Sequence, residues 1–210
     1  MYSRDCIAIA EHASKSPKGL LDVIEFTLCS IQAGLSTIKL QRKDIFLHGA
    51  DSKFLWGKKA DGYRYARDNL EYLWPKLMAL RECGLDNEAC IADAVLLLMQ
   101  IPGLGMVKAS FVAQMLGFDV ACLDSHNITR SGVNPNLLKV SAKLSATKKR
   151  EKVLAYIKLC NDLSMALHGE TCSEYWWNSW CEYVAGNRAN RLLNTADVVS
   201  KYHYDVIIME

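Results

Sequence analysis

The 210-residue sequence predicts an all-α fold, and three observations carry that reading. Apolar residues recur at helical spacing, as in Leu20, Val23, Ile24, Thr27, Leu28 and Ile31. No run shows sustained alternation of apolar and polar residues, the pattern a half-buried strand needs. Prolines are few (17, 75, 102 and 135), and neither a repeat nor a low-complexity linker interrupts the chain.

Taken in order, residues 19–41 read as one helix with the apolar face just named. Residues 43–62 have a mixed pattern and read as irregular. Helical spacing returns over 61–83 (Tyr65, Leu70, Leu73, Leu77, Leu80), with a break expected at Pro75 and a stop at Gly84. Asp86 or Asn87 caps a helix running to 99, and the next begins after Gly105 and stops near Gly117. Asp124 or Ser125 caps a short helix ending near Gly132. Two longer helices follow over 146–167 and 173–187, and a last one from Thr195 to about 202 precedes an apolar tail.

Half of the residues are hydrophobic and 23% are charged, as in ordinary globular proteins. A net charge of +2 excludes a polycation that binds nucleic acid by bulk attraction, so any such surface must be local. The longest apolar stretch, 94–99, is too short to cross a bilayer, and the N-terminus has no sustained apolar run of the secretory kind. The eight cysteines (6, 29, 83, 90, 122, 160, 172, 181) form no CxxC pair, and Cys83, Cys90, Cys122 and Cys160 have apolar neighbours. They read as mostly buried free thiols in a reducing compartment, not as a metal site. The expected location is the cytoplasm or nucleoid, or a host cell's cytoplasm for a viral protein, and the expected form is a monomer with no membrane partner.

The most informative segment is Ile101-Pro102-Gly103-Leu104-Gly105, followed by Lys108 and Ala109 and set between two apolar helices. A Pro-Gly-Leu-Gly corner makes a tight turn, and its glycines permit positive φ and close approach of another backbone. The N–H groups at the start of the second helix, in the positive end of its dipole, suit a phosphate. The amides of Gly103, Gly105 and Val107 and the ammonium of Lys108 are the groups expected to grip it. Asp124-Ser125-His126-Asn127 follows fifteen residues after Ala109. Asp124 suits an N-cap, and equally a carboxylate that stabilises positive charge developing on a sugar.

Two blocks, IPGLGMVKASFVAQMLGF and ACLDSHNITR, resemble the helix-hairpin-helix DNA glycosylase superfamily, which includes endonuclease III, the 8-oxoguanine glycosylases and the adenine-excising mismatch glycosylases. The resemblance covers about residues 100 to 130, and a weaker match places Cys29-Ser30-Ile31-Gln32-Ala33 at the family's SQQ-containing helix. It implies a helical barrel lobe over 30–123 carrying the hairpin (101–109), and a second lobe formed by 1–29 with 124–210. It also implies a cleft between them with Asp124 at its edge. Asp124 would then be the catalytic carboxylate for excising a damaged, mispaired or modified base from double-stranded DNA.

In bifunctional members a nucleophilic lysine stands two residues after the second hairpin glycine. Here that position is Val107, and Lys108 is one step further, rotated about 100° around the helix. The resemblance therefore implies a monofunctional enzyme that uses water. The alternatives are a bifunctional glycosylase/lyase acting through Lys108 and a non-catalytic DNA-binding protein that kept the hairpin. The family's C-terminal four-cysteine motif is absent, so no iron–sulfur cluster and no other cofactor or metal is expected. In its place stand Tyr175, Trp176, Trp177 and Trp180, read as a core helix that could offer Trp177 or Tyr175 to a base pocket. His126 and Asn127 are expected to contact DNA. The basic groups at 58, 59, 64 and 67, at 148, 149, 150 and 152, and at 188 and 191 are candidates for the complementary strand.

Overall fold

A computed structural model describes residues 4–167, 169–186 and 195–209, and its described residues are helical with no strand. The helices are α1 Arg4–Lys15, α2 Pro17–Ser30, α3 Leu35–His48, α4 Lys58–Asp68, α5 Leu70–Cys83 and α6 Glu88–Leu98. They continue with α7 Met106–Met115, α8 Ser125–Ser131, α9 Ala146–Leu163, α10 Cys172–Gly186 and α11 Ala196–Ile207. Among the described residues no helix is long and apolar enough to cross a membrane.

Helix α2 is the axis of the packing. Every residue from Asp22 to Cys29 is buried, and the helix is covered by α1, α3, α4, α5, α7 and α11. Ser16 caps it by accepting from Gly19 N–H (3.1 Å), and Pro17 occupies a first-turn position where its missing N–H costs nothing. A Cβ on Gly19 would fall 2.1 Å from the His12 carbonyl oxygen, so that glycine is what lets α1 fold back onto α2. Helix α1 itself carries no pattern that the sequence reading picked out.

Five boundaries differ from the sequence reading. The helix expected over 19–41 is two helices, broken where Gln32 adopts φ +54° and Gly34 caps α3. The stretch read as irregular, 43–62, holds the end of α3 and the start of α4. Its periodicity is blurred because the apolar Phe46 and Leu47 are exposed. Pro75 stays inside α5, where its exposed position leaves the Glu71 carbonyl to solvent, and the break falls at Asn69. Asn69 Nδ2 donates to the Tyr65 carbonyl there (2.8 Å). Helix α11 extends past 202 to Ile207, whereas α9 stops at Leu163, leaving Met165 and Leu167 exposed. The expected helix end at Asn187 lies outside the described residues.

Arg42 explains how the last helix is held. Its guanidinium donates to Asp22 (3.0 Å), to Glu25 (2.9 Å) and to the carbonyls of Val206 and Ile207. One buried cation thus satisfies two carboxylates of α2 and the open carbonyl end of α11. All eight cysteines are free thiols; Cys83 is exposed, against the expectation from its apolar neighbours, and the other seven are buried.

Candidate active site

The turn between α6 and α7 is built from local chemistry. Leu104 N–H donates to the Ile101 carbonyl (3.0 Å) around Pro102 and Gly103, and Gly103 has φ +88°. Pro at the second position and a positive-φ glycine at the third are the signature of a type II turn. The turn rests on α4: a Cβ on Gly62 would lie 2.2 Å from the Pro102 carbonyl oxygen, and one on Gly103 would lie 3.2 Å from that of Lys58. Gly105 differs from what the sequence suggested. Its φ is −74°, it has open space around it, and it caps α7 with no side chain bonded to the first-turn amides. Those N–H groups therefore stand open at the positive end of the helix.

Beyond α7 the chain runs to Asp124 through a braced loop. The buried Tyr156 hydroxyl of α9 donates to the Ala121 carbonyl (2.7 Å) and accepts from Leu123 N–H (3.0 Å). Burial raises the Tyr156 pKa well above the ordinary phenol value, so it stays a hydroxyl. Asp119 accepts from Ser173 N–H (2.7 Å) and Gln114 Nε2 donates to the Ser173 carbonyl (3.0 Å), which tie the start of α10 to the same loop. Sequence reading named none of Tyr156, Asp119 or Gln114, because each acts on a main-chain group distant in sequence.

Asp124 is the N-cap of α8 and more than that. Oδ1 accepts from the N–H groups of His126 and Asn127 (3.1 Å each), while Oδ2 accepts from Trp180 Nε1 (3.1 Å). A capping role needs only the first oxygen. Asp124 lines a cavity of about 860 Å³ whose wall also includes Lys108, Val107 and Trp180. The cavity is closed by the α2–α3 junction, by Phe26 and Phe111, and by Trp176, Trp177 and His203 from α10 and α11.

The predicted residues distribute as follows. Gly103, Val107, Lys108, Asp124, His126 and Asn127 all line this cavity; Gly105 does not. Lys108 turns inward: its ammonium donates to Ser30 Oγ (3.3 Å) and sits 5.7 Å from the Phe111 ring centre. His126 packs on Tyr183 (5.3 Å between ring centres). Asn127 is 2% exposed and its Nδ2 donates to the Cys122 carbonyl (2.7 Å), so it braces the loop and is not an exposed DNA contact. Tyr175 does not line the cavity; it packs edge-on to Trp176. Of the basic groups offered as candidates for the complementary strand, Lys59 is buried, and burial lowers its pKa. Arg64, Arg67 and Arg150 pair with Asp61, Asp68 and Asp93. Arg188 and Arg191 lie outside the described residues.

Ser30, named in the sequence only for its place in the Cys29–Ala33 match, also lines the wall, and so does His203, which no sequence pattern marked. His203 is 2% exposed, and burial pushes its pKa down to about 4, aided by the nearby Lys108 charge and opposed by its bond to the Val199 carbonyl. The Cys122 thiol is pushed up to about 12, chiefly by burial, which removes it as a nucleophile at neutral pH.

No family model, no curated protein and no solved structure matches this chain.

Proposed function

We propose that this protein is a DNA glycosylase that hydrolyses the N-glycosidic bond of a damaged, mispaired or modified base. The observation that carries the reading is Asp124: one oxygen caps α8 and the other is held by Trp180 at the wall of a nucleotide-sized cavity. Departure of a base leaves positive charge on the sugar, and a fixed carboxylate stabilises that charge and can orient an attacking water. The open amides after Gly105 supply a phosphate seat at the start of α7. In this reading the lobe of 30–123 and the lobe of 1–29 with 124–210 meet at the cavity, and a nucleotide drawn out of double-stranded DNA enters between them.

A second mechanism is favoured by one specific contact. Lys108 Nζ reaches Ser30 Oγ in the wall that also holds Asp124, so an amine stands where a sugar carbon could be attacked. That arrangement supports the bifunctional glycosylase/lyase alternative, with Lys108 as nucleophile and Asp124 stabilising the developing cation.

The test is a duplex panel carrying uracil, hydroxymethyluracil, 8-oxoguanine, alkylated bases and mismatches, each assayed with and without alkali. Breaks that require alkali indicate hydrolytic base removal. Breaks without alkali, together with a borohydride-trapped adduct lost in Lys108→Met, indicate the lyase. Binding with no base released from any duplex would leave only the non-catalytic hairpin protein.

A further inference from the structure

The deep end of the cavity holds a polar group that the proposed mechanism does not use. His203 lies among aromatic rings: centre-to-centre distances are 5.0 Å to Phe26, 5.1 Å to Trp177 and 5.2 Å to Trp180. Its Nδ1 is 2.7 Å from the Val199 carbonyl oxygen, an atom that can only accept, so Nδ1 carries the proton. With the ring neutral, Nε2 is left as an acceptor, and among the described residues no partner is bonded to it. Beside it Trp177 is 3% exposed and lines the same cavity, and its Nε1–H is a buried donor with no partner. A buried donor without a partner is costly unless something completes it, and here that donor is the indole N–H of Trp177, on a ring packed edge-on to His203.

Trp180 joins this end to the reactive end. Its N–H is bonded to Asp124 and its ring lies edge-on to His203 (84° between planes), so a single indole touches both the carboxylate and the imidazole. A flat ring entering sugar-last would meet aromatic surface on its way in and a hydrogen-bond acceptor at the bottom.

We infer that the deep end of the cavity is a nucleobase subsite in which His203 Nε2 accepts from a ring or exocyclic N–H on the edge remote from the sugar, and that this contact determines which bases are held. The ligand class is a planar heterocycle with an N–H beside an acceptor atom, and N-alkylation of that edge is the feature His203 rejects. Trp177 Nε1 is the donor available to the neighbouring acceptor. The inference rests on the glycosylase reading for why a base would arrive there, but the binding chemistry stands on the cavity alone.

The experiment is equilibrium dialysis of the full chain against free bases in matched pairs: uracil with 1,3-dimethyluracil, and adenine with N6,N6-dimethyladenine. The wild-type protein should bind at least one unmethylated base at least about tenfold tighter than its methylated partner. His203→Phe keeps an aromatic ring but no acceptor and should bring the two members within about threefold. His203→Gln returns an acceptor and should restore the preference, a selectivity readout that a merely structural role would not move. Failure of all four compounds to bind, or a preference unchanged in His203→Phe, overturns the inference. Selective base binding without excision from any duplex sinks the glycosylase reading and leaves this subsite standing; excision with selectivity indifferent to His203 does the reverse.

Discussion

Replacing Tyr156 with Phe removes a single buried oxygen and with it both bonds that brace the loop leading to Asp124. The hydroxyl donates to Ala121 C=O and accepts from Leu123 N–H. Both main-chain groups belong to buried residues, so water cannot readily replace the lost partner. Each buried polar group left unsatisfied costs about 1–3 kcal/mol, and relaxation of the loop recovers part of that, so Tyr156→Phe should destabilise by about 2–4 kcal/mol. In a chain of this length each kcal/mol lowers the melting temperature by about 2–4 °C, which places the expected drop at about 5–15 °C. Urea titration gives the free energy and calorimetry the temperature. Because the loop positions Asp124, base release should fall as well, while DNA binding through the hairpin should change little. A loss below about 0.5 kcal/mol, the range of ordinary surface changes, would refute the claim that this hydroxyl holds the loop.

Other perturbations have equally definite outcomes. Gly103→Ala forces a side chain into φ +88° and against the Lys58 carbonyl, so it should cost about 1–3 kcal/mol by urea titration, whereas Gly105→Ala, in open space at φ −74°, should be neutral within about 0.5 kcal/mol. Arg42→Met strands Glu25, leaves Asp22 with only His12 and Lys18, and uncaps α11; a loss of about 3–5 kcal/mol is expected from the same titration. His203 stays neutral in the folded protein down to about pH 4, while the unfolded chain takes up that proton near 6.5. The unfolded state therefore binds more protons in this window, and stability falls as pH is lowered through it. At about 1.4 kcal/mol per pH unit the contribution reaches about 3 kcal/mol by pH 4 and is absent above 6.5. His203→Gln should flatten that part of the pH–stability curve.

The parts of the molecule that were legible in the sequence are those fixed by neighbours along the chain. Pro102-Gly103 sets its turn within four residues, Asp124-Ser125 caps α8 within three, and Asn87 caps α6 by accepting from Ala89 and Cys90. Contacts between distant residues were not legible. Trp180 stands 56 positions after Asp124, and nothing in either segment announces that the indole N–H will meet Oδ2. Arg42 in a run of polar residues looks like surface, yet it is 3% exposed because four main-chain and side-chain partners converge on it from α2 and α11. Asn127 illustrates the converse, since a polar residue beside a candidate carboxylate reads as exposed, yet it is buried with its Nδ2 on the Cys122 carbonyl. Lys108 was placed by sequence at a phosphate; its inward turn to Ser30 depends on how α2 lies against α7.

The central claim is that Asp124 does chemistry beyond capping α8. Asparagine is as good an N-cap as aspartate, so Asp124→Asn keeps α8 while removing the charge at Oδ2. The decisive measurement is single-turnover base release from the duplex the wild-type protein cleaves best, with DNA affinity determined alongside. Base release should be slowed by at least about a hundredfold in Asp124→Asn, with DNA binding within a few-fold of wild type. Base release at the wild-type rate in that variant would contradict the claim.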